Sequence, residues 1–342
     1  MTTETHQMKA ADTSFSPTTI DSQRGLSLVE LMVAITISLL LLAGVLQIFI
    51  GSRQTYTMQD GMARLQENAR YALDRISQDI SRTGYLGCTD SSNVTVVNNL
   101  TVQTPTYDYA TAIAGQDNTG VGNTDILTLR YGSSGAIRIT APVNDVTTGQ
   151  DIVQLDTTSL NYDRLSRFDI LTISDCDSVS IFMITNDPTT SGGSIEHAAS
   201  VVATSGANAG QSNSSSQIGG SFFIENASTT TAFSTSSTTY LVGASFSGNG
   251  NALFANSIAP DNELIQGVED FQVMYGINDD NTLGADRYVT ANNVTSGGTD
   301  WNDVVSVRIT LRLNTVDPVQ AGSTIAKDFT TTVRLRNRGD II

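Results

Sequence analysis

From Leu26 to Ile50 the chain has 25 consecutive positions in which Glu30 is the only ionisable side chain. As a helix rising 1.5 Å per residue this run is roughly 37 Å long, enough to cross a hydrocarbon core of about 30 Å. Beyond Ile50 the pattern changes while the helical period persists: Met58, Met62, Leu65, Ala69, Ala72, Ile76 and Ile80 recur every three or four residues, with Leu73 beside them. Arg64, Glu67, Arg70, Asp74, Arg75 and Asp79 occupy the opposite side, and Arg70/Asp74 and Arg75/Asp79 have the i,i+4 spacing of helical ion pairs. Thr83-Gly84 supplies a stop signal. The pattern predicts one helix from about Leu26 to Arg82, apolar all round in its first half and amphipathic in its second. A coiled coil over residues 53–82 is the rival reading, for which the stripe is short.

After Cys88 the period drops to two. Ile126 to Tyr131, Ala136 to Thr140, Ile152 to Leu155, Phe168 to Ser174 and Val179 to Thr185 are β-prone runs bounded by Gly, Asn, Asp and Ser. Ser221 to Glu225, Thr239 to Val242, Val268 to Ile277, Val304 to Leu313 and Phe329 to Arg336 follow. No helical period separates them as parallel βαβ units require, so the expected class is α+β, a long N-terminal helix packed on an antiparallel β-rich head. Residues 187–260, crowded with Ser, Thr, Gly, Ala and Asn, read as long loops with edge strands. The expected segments are a polar leader at 1–25, a transmembrane helix at 26–50, its amphipathic continuation at 51–84 and a head at 85–342.

Composition narrows the function classes. The 342 residues carry a formal net charge of −16, which opposes non-specific capture of nucleic acid or anionic lipid over the whole surface. The two cysteines, Cys88 and Cys176, are too few for a disulfide scaffold and lack zinc spacing. In an oxidising compartment they suggest one bridge, worth on the order of 4 kcal/mol in the chain-entropy model, with two buried thiols as the alternative.

A carboxylate at mid-bilayer costs about 2.5–3.5 kcal/mol, so Glu30 requires a reason. It lies one helical turn from the chain end that a cut after Gly25 would create, and a new α-amino group there would be cationic. Gly25 followed by Leu26-Ser27-Leu28-Val29-Glu30 and the apolar run resembles the class III leader of type IV pilins and type II secretion pseudopilins. The resemblance implies cleavage between Gly25 and Leu26 by a prepilin peptidase on the cytoplasmic side and methylation of the Leu26 amine. It also implies that Glu30, the fifth mature residue, docks on the N-terminal amine of a neighbouring subunit. Toward the C-terminus, "LIQGVEDFQVMYGINDDNTLGADRYVT" followed by "WNDVVSVRITLRL" resembles PilW-type minor pilins.

Motifs for chemistry are sparse. His6 would leave with the leader and His197 falls in a loop-like stretch; no metalloprotease helix, phosphate loop or nucleophile elbow is present, and no enzymatic activity is expected. Asp279, Asn281 and Gly284 occupy the first, third and sixth places of an EF-hand-like loop and Asp286 adds a carboxylate, but Leu283 stands at the fifth place and no glutamate closes the loop. That is a partial calcium signal against a solvated hairpin turn, and no other cofactor is expected. Arg308 and Arg312 on one run, and Arg334, Arg336 and Arg338 on another, fall at period two. If the two runs pair, five cations gather in one stripe suited to phosphate or to carboxylates.

The resemblance implies a minor pilin of a type IV pilus, inserted in the bacterial inner membrane with its head in the periplasm. Its expected partners are the prepilin peptidase, other minor pilins and the major pilin, the inner-membrane assembly platform and the membrane itself. Its expected work is to prime fibre growth, at the tip of the fibre. A type II secretion pseudopilin and an adhesive or DNA-binding tip subunit are the alternatives, with nucleic acid disfavoured by charge.

Overall fold

A computed structural model of the chain describes residues 27–87, 94–102, 104, 106–133, 135–140, 151, 153–175, 178–218, 230–257, 262–280, 284–319 and 322–338. It divides into two compact units, Met1–Thr55 and Tyr56–Ile342. One α-helix, α1 (Leu28–Arg82), runs through the boundary as 55 continuous helical residues. The fold is α+β, as expected.

In the first unit all the described side chains are exposed, Leu40 and Ile48 each to 75%. An apolar surface of that extent is costly in water and is relieved by lipid or by other apolar helices. The segment is long and apolar enough to cross a membrane.

In the second unit the same helix buries Leu65, Ala69, Ala72, Ile76, Asp79 and Ile80. The stripe starts later than its periodicity suggested: Met58 is exposed and Met62 half-buried. There the helix borders an open groove shared with Glu263 to Gln266 and the 315–319 connection, with Gly61 set against Val319. The helix ends after Arg82. Gly84 takes a left-handed φ of 78°, and the amide of Asn337, more than 250 residues away in sequence, donates to the carbonyls of Arg82 (3.2 Å) and Thr83 (3.1 Å).

The head strands are β1 (Thr95–Asn98), β2 (Ile113–Gln116), β3 (Ile126–Gly132), β4 (Ile137–Arg138), β5 (Val153–Gln154), β6 (Ile170–Ser174), β7 (Ser178–Met183) and β8 (Ser194–Ile195). They continue with β9 (Thr231–Ala244), β10 (Asn251–Ser257), β11 (Glu263–Gln266), β12 (Val268–Ile277), β13 (Arg287–Val289), β14 (Val304–Asn314) and β15 (Ala326–Arg334). Among the described residues they form a nine-stranded sheet with the path β1-β7-β6-β9-β10-β11, a four-stranded sheet β13-β12-β14-β15 and the ribbon β5-β8. Pairing is antiparallel except between β1 and β7.

The main core lies where the helix meets both sheets. Ala72 and Ile76 share it with Leu127, Tyr240 and Leu253 of the large sheet and with Phe271, Ile309 and Leu311 of the small one. Alanines at 69 and 72 remove side-chain bulk at the positions where the strands pack on the helix. A second core, around Leu171, Phe182 and Ala232, serves the far part of the large sheet.

Several strand boundaries shift. The run at 168 starts at Ile170 because Phe168 has a φ of 75°, which breaks the extended chain. The 187–260 region corrects the sequence reading most. The short run expected at Thr239 to Val242 is the end of β9, a 14-residue strand in the middle of the large sheet rather than an edge, and β10 is its partner. The first half of β9 is flanked by β4 and β6, the second by β3 and β10. Several of its hydroxyl side chains are partnered across strands: Thr239 meets Thr128 at 3.1 Å, Thr238 meets the Tyr131 hydroxyl at 3.1 Å, and Thr235 pairs with Thr172, while Ser237 Oγ is buried with no hydrogen-bond partner among the described residues. The strand expected at Ser221 to Glu225 lies outside the described residues.

Candidate functional site

The N-terminal end of α1 places Glu30 in the first helical turn. The backbone N–H of Ser27 donates to the Glu30 carboxylate at 3.2 Å, and Leu31 N–H donates to the Ser27 carbonyl. Glu30 thus satisfies one donor at its own helix N-terminus, half of a capping box, at the positive end of the helix dipole. The Ser27-x-x-Glu30 spacing carries that signal in the sequence, although only the charge of Glu30 drew attention there. Gly25 and Leu26, the expected scissile pair and methylation position, lie outside the described residues.

At the other end of the amphipathic segment Asp79 departs from expectation. It was assigned to the solvent side, yet it is fully buried. Tyr240 of β9 donates its hydroxyl to Asp79 Oδ2 at 2.6 Å, while Arg75 Nε and Arg82 Nη1 lie 3.6 and 3.8 Å from the carboxylate. Burial and the neighbouring Asp79 charge push the Tyr240 hydroxyl well above its ordinary pKa, so it stays a donor. Asp79 in turn holds Arg75 above its ordinary value. One hydrogen bond therefore ties the last turns of the helix to the central strand. The spacing 65, 69, 72, 76, 79, 83 carries Asp79 into the buried stripe, a phase that its charge disguised.

The acidic turn after β12 is engaged internally. Asp279 pairs with Arg287 at 2.6 Å and the Asp286 carboxylate accepts the Asp279 N–H, also at 2.6 Å. Asn281 lies outside the described residues, among which no three acidic, His or Cys side chains converge as a metal cage. His197 lies in a loop, as expected, but it is buried against Phe182, ring centroids 5.2 Å apart, and burial lowers its pKa, so it is a neutral packed imidazole. Cys88 and Cys176 lie outside the described residues.

The stripe of five arginines does not assemble. Arg312 is neutralised by Glu269 (2.9 Å) and Asp328 (3.2 Å). Arg338 is buried, its guanidinium donating to the Trp301 carbonyl and to Asn302 Oδ1. The two strands do pair, the condition for a shared stripe, but Arg338 lies beyond the end of β15, where the tail turns inward.

A single apolar helix with a capped, acid-bearing N-terminus, continuing into an α+β head, defines a pilin-like, membrane-anchorable subunit. Comparison with known families agrees: residues 20–46 match the prokaryotic N-terminal methylation motif, and residues 221–323 match Type IV Pilus-assembly protein W. Together these matches support a type IV pilus minor pilin of the PilW type. Such families are structural pilin subunits rather than enzymes. Neither a curated protein nor a solved structure matches the chain.

Proposed function

We propose that this chain is a minor pilin that primes type IV pilus assembly and occupies the fibre tip. The prepilin peptidase cuts between Gly25 and Leu26, the Leu26 amine is methylated, and the head stands in the periplasm. Glu30 docks on the freed amine of a neighbouring pilin. The partners are other minor pilins, the major pilin and the inner-membrane assembly platform.

The observation that carries this reading is the coincidence, in one chain, of a methylation motif at the start of an exposed apolar helix with a PilW match in the head. A helix whose apolar first half is exposed among the described residues is built to be buried by others. A Cys88–Cys176 bridge belongs to the same proposal. Gly87, one residue before the first cysteine, lies against Ser174, two residues before the second, which supports that pairing. Intact mass before and after reduction reads that bridge.

Deleting the chain from its host should sharply reduce surface fibres, and complementation with an epitope-tagged copy should restore them with label at fibre ends. Label along the whole shaft would contradict the tip position, and normal fibre number in the deletion strain would contradict priming. Normal fibres with lost protein secretion would point instead to a secretion pseudopilin.

A further inference from the structure

Of the five arginines expected in one stripe, three remain accessible once Arg312 and Arg338 are accounted for. Their setting is built by the outer face of the four-stranded sheet. One row of paired residues crosses that face: Tyr288 opposite Gly276, Gly276 opposite Ser306, Ser306 opposite Arg334. Gly276 is required there, because a Cβ would stand 2.2 Å from Ser306 Oγ and 3.1 Å from the Tyr288 ring. The space it leaves lets Tyr288 lie across the sheet, its hydroxyl 3.1 Å from Ser306 Oγ. Arg308 then stacks on the exposed side of that ring, 3.9 Å from its centroid, and Nε donates to Thr332 Oγ1 at 3.3 Å.

Arg334 is the diagonal cross-strand neighbour of Arg308, and Arg336 follows two residues on, past the end of β15. Both are exposed. Among the described residues no ion pair involves Arg308, Arg334 or Arg336, whereas Arg64, Arg70, Arg75, Arg82, Arg287 and Arg312 are all paired with carboxylates. On a chain of net charge −16, three adjacent cations with no ion pair among the described residues make a local cationic patch. The guanidinium of Arg308 is also held in place, stacked and hydrogen-bonded, so less side-chain entropy is lost when it binds.

We propose that Arg308, Arg334 and Arg336, set around the Tyr288 ring, form a docking strip for an acidic segment of a neighbouring protein subunit. Strand spacing makes the strip roughly 15 Å long, which suits three or four residues of extended peptide with alternating carboxylates. A nucleic acid is the poorer occupant: its charges continue every ~1.7 Å of duplex past the strip, onto a chain whose net charge is −16. That the neighbour is another pilus subunit rests on the function proposed above; the capture of carboxylates by the strip does not.

The test uses the full chain in neutral detergent micelles and titrates three probes: an octaglutamate peptide, an octalysine peptide and a short DNA duplex. The octaglutamate peptide should bind in a salt-sensitive manner. Arg334→Glu with Arg336→Glu should weaken it at least tenfold, while Arg138→Glu with Arg164→Glu, the same charge change at exposed positions elsewhere, should change it less than twofold. Tyr288→Leu, which alters no charge, should weaken it severalfold by releasing Arg308, and circular dichroism should show all variants folded. Equal weakening by both charge reversals, no octaglutamate binding by the parent chain, or capture of DNA in preference to peptide would each overturn the proposal. None of these outcomes depends on fibre assembly, so a failed strip and a failed pilin reading are told apart.

Discussion

Replacing Glu30 by Gln should leave the chain in the membrane and reduce its incorporation into fibres at least tenfold. The substitution separates the cap that the structure shows from the docking charge proposed above. As a cap, Glu30 accepts the Ser27 N–H, and a glutamine carbonyl can do the same. As a docking charge it must meet a cation, and glutamine cannot. Insertion itself should improve, since a carboxylate in the hydrocarbon region costs about 2.5–3.5 kcal/mol and a neutral amide costs less. The membrane pool therefore stays full while the sheared-fibre fraction empties, as quantitative immunoblotting of the two fractions would read. Glu30→Ala should behave alike in assembly. Wild-type incorporation of the glutamine variant would leave the cap as the whole role of Glu30.

Ile76→Ala should destabilise the head by about 2–5 kcal/mol, the range for emptying a fully buried aliphatic site. Ile76 has no exposed surface and stands where helix and both sheets meet, so little can collapse into the space without moving a strand. Met58→Ala, on the same helix but exposed, should change stability by no more than about 0.5 kcal/mol. Asp79→Ala should fall between them, at about 1–3 kcal/mol, because it strands the buried Tyr240 hydroxyl while Arg75 and Arg82, each about half exposed, turn to water. Thermal unfolding of the three variants in micelles, followed by the near-ultraviolet tyrosine signal, ranks them. Equal sensitivity at positions 58 and 76 would contradict the placement of the core.

Much of this was legible in the order of residues. The helix was expected to end at Arg82 and does, because Thr83-Gly84 is a local signal that the tertiary structure reinforces through Asn337 rather than overrides. Strands β3, β12 and β14 were recognisable as β-prone runs, with near-strict alternation in β14 from Val305 onward. What escaped were residues whose polarity concealed burial. In the first half of β9, Thr235 and Ser237 occupy inward positions, so hydropathy reads a central strand as a loop and leaves only its end, Thr239 to Val242, recognisable. Asp79 escaped for the same reason, since its partner Tyr240 is 161 residues distant and no local pattern reports it. The arginine stripe failed in the opposite direction. Period two correctly put Arg308, Arg312 and Arg334 on one face, but which of them meets an acid depends on Glu269 and Asp328 in neighbouring strands.

The most direct test is the mass of the N-terminal peptide of chain purified from host membranes. A peptide starting at Leu26 and heavier by one methyl group is expected, with residues 1–25 absent. A peptide starting at Met1, or at any residue other than 26, in chain that still enters fibres would contradict the assignment of Gly25, Leu26 and Glu30 to processing and docking.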